Sequence, residues 1–331
     1  MPDDCGAQAG VAAQMTSERE ESDAKYRAAM SMFAGPDAAQ HVDEAVGLID
    51  AAAQEGHPEA IERRALFECS GLGRTVHWET ALDSLADAAE LGSQRAARQL
   101  VLLAENRLEA ASPAARAGFW KETRSRLSIA RRLQPPASSG GRMLSADPFI
   151  RAISGMCSAV ECQWLIATAQ PWLERATLHN RGVGQARTNQ YSVLNVLHTD
   201  LIVEMIRARI AKEIGAPLPC LEVSQVLRYA PGEEFLPHYD FLDPQVNREE
   251  IDRFGQRTAT FLIYLNEDFQ GGETSFPQLG IRHRGTTGEA IVFGNLRPGR
   301  VPDARTQHAG LPPTSGVKWL FSQWIRDRYA A

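Results

Sequence analysis

From Asp23 to about Arg107 the chain repeats itself every 36 residues, and no other feature restricts its fold so tightly. AAAQEGHPEAIERRALF begins at Ala51 and DAAELGSQRAARQLVLL begins at Asp87. At that offset Ala52 matches Ala88, Ala53 matches Ala89, Gly56 matches Gly92 and Ala60 matches Ala96. Upstream, Gly35 matches Gly71, Ala45 matches Ala81 and Ala24 matches Ala60. A period of this size specifies stacked helix pairs, each too small to bury its apolar face alone. The alanines let helices approach closely, and Gly35, Gly56, Gly71 and Gly92 stand where helices end in the left-handed conformation. Such an array either offers a concave surface to a peptide or protein, or serves as scaffold for the second half of the chain.

The matched stretches resemble the Sel1-type repeat, a relative of the tetratricopeptide repeat. Residues 1–22 are polar and poor in bulky apolar side chains, so a frayed or disordered tail is expected there. Residues 23–133 form the repeat region. Its last part, 108–133, is basic through Arg116, Lys121, Arg124, Arg126, Arg131 and Arg132. It reads as a solvated helical face that complements the acidic repeat, or as a basic patch that holds an acidic partner. The Pro, Ser and Gly cluster at 134–142 reads as a linker.

Charge separates the two halves. Residues 1–140 hold 15 basic and 21 acidic side chains, and the remainder holds 20 of each, so the net charge of −6 belongs to the first half. Neither half has the positive excess that nucleic-acid binding needs. No run of 18 apolar residues is present, so no membrane span is expected. The opening MPDDCGAQAG has neither a basic nor an apolar leader segment, so no secretory signal is expected. Five scattered cysteines make neither a disulfide framework nor a zinc cluster, and they fit a reducing cytoplasm.

Residues 158–170 and 198–213 are amphipathic and read as helices. After Pro219 the texture changes. LEVSQVLRY, TATFLIYL, EAIVFGN and VKWLFSQWI are short, rich in β-branched and aromatic residues, and separated by Gly/Pro turns. Successive strands of this kind specify a sandwich or barrel. His238 and Asp240 lie two apart in LPHYDFLD, and on a strand such residues share a face. With one more histidine they would complete a two-His, one-carboxylate set, the arrangement that suits non-heme Fe(II). The downstream candidates are His283 and His308. Arg282 and Arg284 flank His283, which makes it a poor ligand for a cation. His308 is followed ten residues later by Lys318. After a turn at Pro312–Gly316, an adjacent antiparallel strand would bring that ammonium to the same cavity, where it suits the far end of a chelating dicarboxylate.

SQVLRYAPGEEFLPHYDF, QRTATFLIYLNEDFQGGETSFP, GEAIVFGN and HAGLPPTSGVKWLFSQWIRD together resemble the prolyl 4-hydroxylase branch of the Fe(II)/2-oxoglutarate dioxygenases. ECQWLI and Arg187–Asn189 are similar to family segments as well. The resemblance implies an α+β chain in which an N-terminal α-helical repeat precedes a double-stranded β-helix, or jelly roll, with supporting helices, over residues 143–331. It implies that His238, Asp240 and His308 hold the iron and that Lys318 pairs with the remote carboxylate of 2-oxoglutarate. It also places Tyr229 and Thr260 at positions that hydrogen-bond this cosubstrate, where the alternative is core packing. The implied reaction consumes 2-oxoglutarate and O2, with ascorbate as accessory reductant, and hydroxylates a prolyl residue of a peptide or protein recruited in part by the repeat. The alternatives are a free amino acid or other small molecule as substrate, or a non-catalytic interaction or sensor protein. Phe235 stands where the family often has Tyr. Segment 241–256 reads as a loop able to close over substrate or as plain surface, Trp324 as core or rim packing, and Trp319 is left open.

Overall fold

The computed structural model describes residues 4–105, 117–136, 141–175 and 187–329. Its helices, in chain order, are α1 (Asp4–Ala34), α2 (Val42–Gln54), α3 (Pro58–Ser70), α4 (Trp78–Glu90), α5 (Gln94–Leu103), α6 (Phe119–Ser125), α7 (Ile129–Arg132), α8 (Ala159–Ala169), α9 (Leu201–Ile214) and α10 (Arg248–Phe254). The strands are β1 (Arg142–Ser145), β2 (Ile150–Ile153), β3 (Glu174–Arg175), β4 (Gln190–Val193), β5 (Gln225–Tyr229), β6 (Phe235–His238), β7 (Arg257–Tyr264) and β8 (Gln270–Gly271). They continue with β9 (Thr274–Phe276), β10 (Ile281–His283), β11 (Ala290–Gly294), β12 (Leu296–Arg297), β13 (Val301–Pro302), β14 (His308–Gly310), β15 (Pro313–Ser315) and β16 (Lys318–Arg326). The chain forms two compact units. One holds the residues up to Arg132 together with Thr199–Met205, and the other holds Leu133–His198 and Ile206 onward. The boundary therefore differs from a single cut at a linker: 199–205 group with the helical unit, and β1 already begins at Arg142 within the stretch expected to be linker.

In the helical unit, the first residues of α2 and α4 stand 36 positions apart, as do those of α3 and α5. Local chemistry sets these starts. Nδ1 of His57 accepts from Ala60 N at 3.2 Å, Pro58 occupies the first turn of α3, and Oγ of Ser93 caps α5 by accepting from Ala96 N at 3.2 Å. Gly56, Gly71 and Gly92 are left-handed, at φ 83°, 82° and 106°, whereas Gly35 is not. Ala45, Ala52, Ala60, Ala81, Ala88 and Ala96 are fully buried with Ile49, Phe67, Leu82 and Leu85. The tail expected at 1–22 is helical from Asp4 onward, as part of α1. Its Ala, Gln, Glu and Met residues are strong helix formers, and no proline interrupts them after Pro2. Of the basic stretch, 108–116 lie outside the described residues, and α6 and α7 account for much of the rest.

A buried polar network ties this unit together. Glu62 accepts from Ser93 Oγ and from Gln99 Nε2, each at 3.1 Å. Arg95 lies 3.4 Å from Glu62 and 3.3 Å from Asp200, and Gln99 Oε1 accepts from Leu201 N at 3.1 Å.

The second unit is built on two antiparallel sheets. One has eight strands in the order β1-β2-β11-β7-β16-β5-β4-β3, and the other four, β10-β9-β14-β6. Two ribbons, β12-β13 and β15-β8, complete it. With helix α8 beside the antiparallel strands, the chain is α+β, and this unit has a jelly-roll arrangement. Register decides what faces inward from the large sheet. Tyr229 pairs with Lys318 and Leu227 with Leu320, while Leu320 also pairs with Tyr264 and Trp324 with Thr260. These side chains therefore share one face. Among the described residues, no helix is long and apolar enough to cross a membrane.

Candidate metal centre

The small sheet supplies two of the donors. His308 opens β14 and pairs with His238 at the end of β6, whereas Gly310 pairs with Phe235. Two intervals on β14 thus oppose three on β6, and the bulge turns both Phe235 and His238 inward. The His238 ring stacks on Phe235, with 3.5 Å between centroids. β6 ends at His238, so strand alternation does not bring Asp240 to the site. Thr260 on β7 does so, by donating its hydroxyl to Asp240 Oδ2 at 2.7 Å.

The three groups converge. Nε2 of His238 lies 3.7 Å from Asp240 Oδ1, and Nε2 of His308 lies 3.4 Å from Oδ2. One ligand atom from each falls within 4.8 Å of the others, and all three residues are buried. Nδ1 of His238 faces Leu236 O at 2.8 Å, and Nδ1 of His308 faces Thr306 O at 3.1 Å. A carbonyl only accepts, so each Nδ1 carries the proton and each Nε2 offers its lone pair inward. Burial, reinforced by His308, lowers the His238 pKa to about 3, so it is neutral and ready to ligate. Burial alone would raise the Asp240 pKa, but His308, His238 and the Thr260 hydroxyl outweigh it and hold the carboxylate below its ordinary range. Two imidazoles that turn Nε2 inward and one carboxylate, buried and oriented, fit a divalent transition metal with coordination positions left open.

Behind the donors lies a second incomplete arrangement. Lys318 is fully buried, and its Nζ has no hydrogen-bond partner among the described residues. It stands 4.9 Å from the ring centroid of Tyr229 and 5.6 Å from that of Tyr264. Burial lowers its pKa to about 7, with partial relief from Glu273. Tyr229 and Thr274 line the cavity with the two histidines, and Thr274 Oγ1 lies 2.8 Å from the Tyr264 hydroxyl. At Gly310 an added Cβ would sit 3.1 Å from the Tyr229 hydroxyl oxygen, so glycine keeps that approach open. A buried ammonium with no hydrogen-bond partner among the described residues suits a carboxylate such as the remote one of 2-oxoglutarate. Lys318 does not lie on a strand beside His308. β14 belongs to the small sheet and β16 to the large one, so the two residues come from different sheets.

The other residues singled out from sequence divide. Thr260 does not line the cavity. Its hydroxyl is engaged by Asp240 and by Asn295 Nδ2 at 3.1 Å, which ties it to the carboxylate of the candidate donor set. His283 is absent from the donor set. It sits 3.5 Å from Glu289 and 3.4 Å from Arg142, edge-on to Tyr264. Segment 241–256 contains α10, and the Gln256 side chain closes its neck by accepting from Leu242 N and donating to Leu242 O, each at 2.7 Å.

Sequence reasoning passed over Arg187 and Thr274, though both lie in stretches it noted. Arg187 lines the cavity over the rings of Tyr191 and Phe235, and one of its terminal nitrogens, buried, has no partner among the described residues. Trp324 lines both the cavity and a neighbouring groove of about 510 Å³ that also includes Leu221, Val223, Phe254 and Arg257. The Arg257 guanidinium lies 3.7 Å from the Trp324 ring centroid and is held by two bonds to Glu222, at 2.6 and 2.8 Å.

Residues 224–326 match the 2OG-Fe(II) oxygenase superfamily. Prolyl 4-hydroxylase 1 of Arabidopsis thaliana is 32% identical over 205 residues, an overlap covering 56% of this chain and 71% of that protein. Prolyl 4-hydroxylase subunit alpha-1 of Rattus norvegicus is 32% identical over 190 residues, covering 55% of this chain and 35% of the subunit. Among solved structures, the viral collagen prolyl hydroxylase of Paramecium Bursaria Chlorella virus-1 is 29% identical, with 55% of this chain and 96% of that chain covered and a TM-score of 0.43.

Proposed function

The chain belongs to the prolyl 4-hydroxylase family within the 2OG-Fe(II) oxygenases, and from that premise we propose that it hydroxylates prolyl residues of a peptide or protein, with His238, Asp240 and His308 as iron ligands. Bound there, Fe(II) with 2-oxoglutarate and O2 supplies oxidative decarboxylation coupled to insertion of oxygen into a C–H bond. The protein's share is orientation, charge and exclusion of water. Leu236 O and Thr306 O hold the two imidazoles in the ligating tautomer. Lys318 gives its charge to the remote carboxylate, and Tyr229 and Thr274 present hydroxyl groups beside it. Leu227, Leu262 and Leu320 wall the cavity and keep it dry.

The observation that carries this reading is the convergence of His238, Asp240 and His308 on a cavity whose wall residue Tyr229 is backed by the buried Lys318 ammonium. A peptide substrate is favoured over a free amino acid by the groove that shares Trp324 with the cavity. The groove receives the residues flanking the reacting proline, while the free nitrogen of Arg187 donates to a backbone carbonyl of the bound peptide. Reading the helical unit as a Sel1-type array is supported by the 36-residue spacing of its helix starts, and such an array would recruit the substrate protein. A reducing, cytoplasmic setting is supported by four buried free thiols, Cys69, Cys157, Cys162 and Cys220.

The test measures succinate formed from 2-oxoglutarate with Fe(II), with and without a panel of proline-containing peptides. Peptide-stimulated succinate, with one oxygen added to proline by mass spectrometry, is the expected result. Succinate that no peptide stimulates would keep the oxygenase and overturn the prolyl substrate, and none under any condition would overturn both.

A further inference from the structure

We propose that Asn295 is a positioning residue of the metal centre, acting through Thr260 to hold Asp240 in its ligating orientation and through its main chain on the turn that orients His308. The inference rests on reading His238, Asp240 and His308 as the metal site. Asp240 lies two residues beyond the end of β6, where no sheet ladder sets its direction. Among the described residues, its side-chain hydrogen bond comes from Thr260, and what fixes Thr260 is Asn295.

Asn295 follows β11 and is fully buried. Its backbone is pinned on both sides: N–H donates to Thr258 O at 2.8 Å, and its carbonyl accepts from Asp303 N at 3.0 Å. Its Nδ2 donates to Thr260 Oγ1 at 3.1 Å, and Thr260 Oγ1 donates to Asp240 Oδ2 at 2.7 Å. The polarity of this chain is forced. An ionised carboxylate accepts only, so the single hydroxyl proton of Thr260 goes to Asp240. The oxygen of Thr260 is then an acceptor, which the amide nitrogen of Asn295 satisfies. With the opposite amide orientation, Asn295 Oδ1 would compete for that same proton. Oδ1 of Asn295 has no partner among the described residues, so Thr260 alone sets the orientation of the amide.

The main-chain branch reaches a second ligand. Asp303, whose N–H Asn295 holds, accepts at its own carbonyl from the Thr306 hydroxyl at 2.8 Å and from Thr306 N at 3.0 Å. Thr306 O in turn accepts from His308 Nδ1 at 3.1 Å. One buried amide residue thus connects two of the three donors. Outer-shell partners of this kind commonly govern metal affinity by about 10–100-fold.

The experiment titrates Mn(II) alone, with free ion followed by electron paramagnetic resonance. The proteins are wild type, Asn295→Leu, Thr260→Val, Thr260→Ser and the Asn295→Leu/Thr260→Val double variant. Thermal unfolding of each metal-free protein runs alongside. Asn295→Leu and Thr260→Val are expected to weaken Mn(II) binding by about 10–100-fold. Thr260→Ser, which keeps the hydroxyl, is expected to restore affinity to near wild type. Because the side chain of Asn295 acts through Thr260, the double variant should fall well short of the product of the two single losses. Wild-type affinity in Asn295→Leu, or single losses that multiply in full, would overturn the inference. Wild-type protein that took up no Mn(II) would remove the metal-centre reading and this inference with it. Should Asn295→Leu fail to fold, Asn295→Ser keeps the main-chain bonds and carries the same expectations.

Discussion

Glu62 in the helical unit and Lys318 in the β unit are both buried charges, yet their surroundings differ in kind. Around Glu62 every need is met from within: Ser93 and Gln99 donate to its oxygens, Arg95 lies beside it, and Arg95 in turn reaches Asp200. Around Lys318 there are two aromatic rings, and its ammonium has no hydrogen-bond partner among the described residues. A buried charge without a partner costs stability. A fold keeps such a group where something arriving later completes it. The first arrangement is architecture, and the second is half of a binding reaction.

Four measurements test that contrast, in falling order of effect. His308→Ala removes one donor from a preorganised set, so Mn(II) uptake and succinate formation should be lost while thermal unfolding stays cooperative. Retained turnover would send the third ligand elsewhere. Lys318→Ala should weaken binding of 2-oxoglutarate on the order of 100-fold, the scale for truncating one partner of a buried charge pair. An unchanged requirement would remove its assigned role.

The third measurement is pH. Burial lowers the Lys318 pKa to about 7 in the ligand-free protein, and the dicarboxylate binds the protonated form. Affinity for 2-oxoglutarate should therefore be full below pH 7 and fall as pH rises above it, by at most about tenfold per unit. Lys318→Arg, which stays charged, should flatten that profile, and a profile of the same slope would place the titration elsewhere. The smallest effects are on stability, and they should have opposite signs. Gln99→Leu leaves Glu62 Oε1 and Leu201 N short of partners and should destabilise by about 1–3 kcal/mol. Lys318→Met removes an unpaired charge and should raise the melting temperature of the metal-free protein. Equal losses in both would erase the distinction between the two regions.

The clustering of His238, Asp240 and His308 was legible in the sequence because ligand chemistry restricts residue type and spacing. His238 and Asp240 stand two apart, and His308 precedes a Gly/Pro-rich turn. Strand alternation accounts for Asp240 only in part, since β6 stops at His238 and a hydroxyl on β7 sets the carboxylate instead. Lys318 was found by its distance from His308, but that distance spans two sheets rather than one hairpin. Arg187 and Thr274 were passed over because their roles depend on which face each strand turns to the cavity, and that is set by pairing between distant segments. The same limit applies to Thr260. A strand threonine carries no sign in the sequence that Asp240 and Asn295 occupy both sides of its hydroxyl. Residues 4–22 were expected to fray because they lack bulky apolar side chains, yet helix propensity was the stronger local signal.

Trp324 occupies the wall common to the metal cavity and the groove, with the Arg257 guanidinium on its face and, among the described residues, no partner for its indole N–H. Indole emission responds to polarity and nearby charge, so this side chain is a built-in optical probe of the passage between the two spaces. Occupancy of the groove and occupancy of the cavity both reach it. With the chain's six tryptophans reduced to this one, its colour and intensity track the arrival of each ligand in real time.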